Sequence, residues 1–170
     1  AWVLTDLGTL GGTFSEGVAI NDAGQVVGRS SKATGEVHAF LYSDGMMLDL
    51  GTLGGRNSEA RALNQFGQVV GTANTATGEN HAFLYSSGVM THLGTLGGTR
   101  SDAFAVNASG QVVGRSNTVG NVGYHAFLYS DGVMTDLGTL GGTESGALAI
   151  NDAGQVVGSA YTASGAAHAL

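Results

Sequence analysis

The chain has 170 residues, 42% of them hydrophobic and 11% charged, a composition that forms one compact domain with its own core and excludes intrinsic disorder. Thirteen acidic against six basic residues give a net charge of −7, so there is no cationic surface for a phosphate backbone and nucleic acid is excluded as a partner. The absence of cysteine removes disulfides, thiolate metal sites and thiol nucleophiles, and no apolar run approaches the roughly 20 residues of a membrane-spanning helix.

The chain opens directly on "AWVLTDLG", without the basic and apolar regions of a signal peptide, as expected of a processed or excised module. Its first motif, "DLGTLGGT" from Asp6 to Thr13, has the look of a phosphate-cradling loop. It returns from Asp49, from His92 and from Asp136. A Walker loop ends in Gly-Lys-Ser/Thr and leads into a helix. Here Gly12, Gly55, Gly98 and Gly142 are followed by Thr, Arg, Thr and Thr and then by a strand, so the motif is read as a linker.

Two further landmarks fix the repeat. "QVVG" begins at Gln25, Gln68, Gln111 and Gln155, and the histidine of "HAF" or "HAL" stands at 38, 81, 125 and 168, with a period of 43 or 44 residues for both. The one-residue insertion falls in the third copy, around "SNTVGNVGY". Within a period, "VAIN" and "QVVG" flank a loop such as Asp22-Ala23-Gly24, the composition of a three-residue hairpin turn with glycine in the left-handed position. "HAFLYS" and "VMTDL" flank a two-residue turn, Asp44-Gly45, Ser87-Gly88 or Asp131-Gly132, the strongest short hairpin signal.

Each period therefore predicts four strands. The first three are apolar at consecutive positions, as in Phe40-Leu41-Tyr42, which implies sheets covered on both faces. The fourth is mixed and suits an outer edge. The expectation is an all-β fold, a β-propeller of four-stranded antiparallel blades in a single repeat domain over residues 1–170. A closing fourth strand spans 1–8, and the repeats span 9–51, 52–94, 95–138 and an incomplete 139–170. "WVLTDLG" matches "VMTDLG", so the N-terminal strand is expected to complete the last blade and close the ring, either in a four-bladed monomer or in an eight-bladed ring shared by two copies.

With "HAF", "INDAGQVVG" and "DLGTLGG", the chain resembles the HAF-family extracellular repeat over its whole length in four copies. The resemblance implies a secreted or surface-exposed, non-catalytic bacterial repeat protein and brings no ligand, cofactor or catalytic residue. The fourth copy departs from the pattern at Leu170, where Phe is usual.

Candidate site residues are weighed against framework roles. His38, His81, His125 and His168 invite a metal, but one histidine per blade cannot converge on a single ion, so a hydrogen bond between strand and neighbouring loop is the expected role. Asn21, Asn64, Asn107 and Asn151 enter the first hairpin of each repeat. They stabilise turns or, alternatively, form an axial polar ring able to hold water, an ion or a sugar hydroxyl. Glu16, Glu59 and Asp102 recur as a solvated rim, broken at Gly146. No metal or cofactor is expected.

A single binding site shows as a break in symmetry, and the breaks lie in the loops between the second and third strands. Those loops hold Lys32, Glu36, Glu79 and the ligand candidates Asn80, Asn121, Tyr124 and Tyr161; drift in exposed loops predicts the same variability. The leading functional expectation is a non-enzymatic scaffold or recognition surface with a glycan or protein ligand. The alternatives are a carbohydrate-binding lectin and a glycan-processing enzyme with paired carboxylates.

Overall fold

The computed structural model describes residues 1–170 and is all β apart from one short turn of 3₁₀ helix. The first sheet comprises β1 (Gly11–Ile20), β2 (Val26–Lys32), β3 (Val37–Ser43) and β4 (Met46–Asp49). The second comprises β5 (Gly54–Leu63), β6 (Val69–Thr75), β7 (Asn80–Ser86) and β8 (Val89–His92), and the third β9 (Gly97–Val106), β10 (Val112–Thr118), β11 (Tyr124–Ser130) and β12 (Val133–Asp136). The fourth comprises β13 (Gly141–Ile150), β14 (Val156–Thr162) and β15 (Ala167–Ala169). Every sheet is an antiparallel meander in sequence order.

Both turn types form where expected. Asp44, Ser87 and Asp131 take φ near +52° and the glycine after each takes φ near +82°, the paired left-handed geometry of a type I′ hairpin. In the first hairpin, Asn21 Oδ1 accepts the amides of Ala23 and Gln25 at 3.1 and 3.0 Å, and the same pattern recurs at Asn64, Asn107 and Asn151.

The first strand is longer than the expected "VAIN", because it starts inside the "GTLGG" motif. Gly11 lies opposite Lys32 with φ at +101°, and register shifts on either side of Ser15–Gly17 bend the strand. Such bulges need glycine where backbones close up. A Cβ on Gly28 would run into the carbonyl of Glu16, as it would on Gly71 against Glu59, Gly114 against Asp102 and Gly158 against Gly146. The invariant glycine of "QVVG" is thus a close-approach residue. The insertion in the third repeat forms the 3₁₀ turn Val119–Asn121.

Sheets stack in sequence order, with β5 lying across β1, β2 and β3, β9 across β5, β6 and β7, and β13 across β9, β10 and β11. Three apolar clusters fill the joints. Val27, Ala39, Ala60, Val69 and Phe83 pack between the first two sheets, Val70, Ala82, Ala103, Val112 and Phe127 between the second and third, and Val113, Ala126 and Ala147 between the third and fourth. Phe40, Phe83 and Phe127 are fully buried, each stabilising the fold by roughly 1.5–3 kcal/mol.

The expected closure of the ring by the N-terminal strand is not made. Ala1–Thr9 belongs to no strand, Trp2 is fully exposed, and β15 has no fourth strand beside it. Each sheet packs on its sequence neighbours, and the outward faces of the first and fourth sheets remain open to solvent, so the two ends of the stack do not meet.

Candidate functional site

Pairs of sheets enclose grooves at their first and second strands, and the repeat places equivalent residues in each. The groove between the first two sheets has a volume of about 450 Å³ and is lined by Arg29, Val37, Asn57, Ser58, Glu59, Thr72, Ala73, Asn74 and Asn80. Its amides are tied to one another and to backbone: Asn74 donates to Asn80 Oδ1, Asn57 Oδ1 accepts the Val37 amide at 3.0 Å, and Asn74 Oδ1 accepts that of Asn57 at 3.0 Å.

The groove between the third and fourth sheets, about 440 Å³, has a different lining. Glu144 replaces Asn57, Tyr161 replaces Asn74, and Tyr124 stands where the first groove has Val37, with Phe104, Arg61 and Arg115 completing the wall. Such a volume lies within the range of small-ligand sites. The Arg115 guanidinium lies 4.5 Å from the centre of the Tyr124 ring and 5.7 Å from that of Phe104, and Arg61 lies 5.3 Å from Phe104. These cation–ring contacts help to fix the rotamers of the wall.

The charged rim is broken at this groove. In the first repeat Arg29 reaches Glu16 at 2.9 Å and Glu59 of the next sheet at 3.6 Å, and in the second Thr72 Oγ1 donates to Asp102 of the third at 3.1 Å. Arg115 keeps its own Asp102 at 3.2 Å, but at the rim position where the second and third sheets have Glu59 and Asp102 the fourth has Gly146. Its plane therefore rests on Tyr124.

Tyr124 and Tyr161 are thus brought together in one groove, while Asn80 lines the repeat-related first groove. Asn121 sits apart from both linings; its Oδ1 accepts the backbone amide of Thr99 at 2.9 Å and fastens the inserted loop. No motif of the sequence marks Phe104, Arg61, Arg115 or Glu144. Aligning the repeats gives the signal that locates them, since Gly146 replaces the acid of the other copies beside this groove.

The axial asparagines are committed to the framework. Asn64 Nδ2 donates to Gln68 Oε1 at 2.6 Å and to the Asn107 carbonyl at 2.9 Å, while Oδ1 takes two turn amides. Asn21 and Asn107 do the same, joining each sheet to the next. Their amides thus serve the turns and a relay of sheet-to-sheet hydrogen bonds, in place of the alternative axial ring of amides free to hold a ligand. Asn107 is buried in this relay.

The repeated histidines bond to the fourth strand, where a neighbouring loop was expected. His38 Nδ1 lies 2.7 Å from Asp49 Oδ1 and His125 Nδ1 lies 2.9 Å from Asp136 Oδ2, while His81 meets His92, stacked with ring centroids 4.6 Å apart. Burial pushes the Asp49 carboxyl upward, but Lys32, the Gly51 amide and His38 outweigh it and hold the group below its ordinary value. Burial and the adjacent His81 both push His92 down.

No helix is long and apolar enough to cross a membrane. No family model matches the chain, and neither the curated proteins nor the solved structures hold a significant match to it.

Proposed function

We propose that the chain is a non-enzymatic extracellular repeat module whose sheets are the blades of a β-propeller-type array, and that it acts as a recognition surface for a neutral carbohydrate. The observation that carries this reading is the pairing of Tyr124, stacked on Arg115, with Tyr161 in one groove, at the place where Gly146 interrupts the charged rim. Sugar rings present C–H faces to aromatic side chains and hydroxyls to polar neighbours, and this groove supplies rings beside Glu144, Ser145 and Ser159.

Two features favour a neutral ligand. Arg115 already has a carboxylate partner in Asp102, and the net charge of −7 repels polyanions. A hydrolytic role is less well supported, because Glu144 is the one carboxylate among the lining residues and glycoside cleavage uses a pair. Export to the cell surface rests on the motif resemblance to HAF-family repeats.

Screening the chain on an array of neutral and anionic glycans, followed by calorimetry on the best ligand, tests the assignment. Binding to neutral sugars, weakened about tenfold by Tyr124→Ala or Tyr161→Ala with the fold retained, is expected. Binding unaffected by both changes, or confined to anionic glycans, would overturn it.

A further inference from the structure

The stacking joint between sheets is directional, and the same atoms build it three times. The second valine of "QVVG" closes each joint, and Val27, Val70 and Val113 are all 0% exposed. The Ala39, Ala82 and Ala126 amides each donate to the Oγ of the serine 19 residues on, Ser58, Ser101 and Ser145, always at 2.8 Å. Asn21, Asn64 and Asn107 each donate Nδ2 to the backbone carbonyl of the next asparagine.

The fourth sheet holds the donor half of this joint uncovered. Val157, equivalent to the three buried valines, is 55% exposed, Ala169 is exposed with no serine of this chain opposite its amide, and Asn151 Nδ2 meets Gln155 but no further carbonyl. The first sheet holds the acceptor half. Ile20, equivalent to the packed Leu63 and Ile150, is 69% exposed, and Ser15 Oγ donates to Gly8 as its counterparts do while no amide donates to it. Donor faces donor-lacking acceptor, valine faces isoleucine, and the geometry that unites them is already made three times within the chain.

We propose that a second copy of this chain docks its first sheet on the fourth sheet of the first copy, head to tail, and that two copies close into one ring of eight sheets. Ala1–Leu7 then becomes the missing fourth strand. It stands to β1 as β4 stands to β5, so Asp6 comes against His168 of the other copy as Asp136 comes against His125. The interface is heterologous, and closure at two copies leaves no stacking face uncovered. Eight sheets stay within the usual range of propellers, about four to eight blades. The joint does not depend on what the groove between the third and fourth sheets binds.

Light scattering after gel filtration, over a range of concentrations, is expected to give about twice the 17.0 kDa of one copy. Ile20→Lys blocks one face and Val157→Lys the other. Each variant alone is expected at the mass of one copy with an unchanged far-UV circular dichroism spectrum, and a mixture of the two recovers the doubled mass, because each supplies the face the other lacks. Should either lysine variant misfold, a mixture of Asp6→Cys and Leu170→Cys reads the same joint: Phe127 lies directly opposite Asp136, and Leu170 and Asp6 are their equivalents. Mild oxidation is expected to give a mixed disulfide well above the level of either variant with itself. Wild-type protein that stays at 17.0 kDa or grows past two copies, folded lysine variants that fail to complement, or a mixed disulfide no more abundant than the self-disulfides overturns the proposal.

Discussion

His81 stacks on His92 at the place where the first and third repeats set a histidine against an aspartate. His81 Nε2 is buried without a hydrogen-bond partner, and burial together with the neighbouring His81 holds His92 below its ordinary value. The unfolded chain therefore binds more protons than the folded one between the lowered folded pKa and the ordinary value near 6.5, and stability falls as pH drops through that window. His92→Asp restores the ion pair of the other repeats. Its melting temperature is expected to exceed that of the wild type at pH 5.5, with a smaller difference at pH 8, in thermal melts followed by circular dichroism.

Asp49 gives the opposite dependence in a lower range. Its depressed carboxyl contributes stability that is present above the unfolded pKa near 3.9 and is lost as pH falls through the folded value. Lys32 at 2.9 Å and His38 at 2.7 Å are its partners, and the site is about a third exposed. Asp49→Asn is expected to cost about 1 kcal/mol at pH 7 and progressively less as pH falls through the folded pKa, measured by urea denaturation at pH 7 and at successively lower pH.

The close-approach glycines and the turn glycines respond differently to alanine. Gly71→Ala drives a Cβ into the Glu59 carbonyl, where the bulged strand cannot retreat, and is expected to cost at least about 3 kcal/mol. Gly35, at φ +88° with open space around it, is strained by alanine by about 1–2 kcal/mol. Chemical denaturation of the two variants separates the mechanisms.

Ser101→Ala leaves the fully buried Ala82 amide without its acceptor and the Gly94 carbonyl without its donor, a loss of about 1–3 kcal/mol. Ser15→Ala, in the same register on the uncovered first sheet, is expected to cost less than half of that in dilute protein. Equal losses at the two positions would show that the serine acts through its own strand and not through the joint.

The sequence by itself determined what is local and periodic. "QVVG", "HAF" and the glycine turns specify the hairpins, four of the first kind and three of the second, since the left-handed φ of the turn residue and the apolar runs depend on neighbours a few positions away. The symmetry break at Gly146, and the odd tyrosines at 124 and 161, were also legible there. Tertiary structure alone decided that Tyr124 and Tyr161 share a groove with Arg115 and Phe104, because those residues are up to 57 positions apart and meet only when β13 lies across β10 and β11. It also decided that the asparagines bond from sheet to sheet and that the stack stays open within one chain. The angle between stacked sheets follows from side-chain packing at Val27, Ala60 and Val69 and their repeats, and no local pattern encodes it.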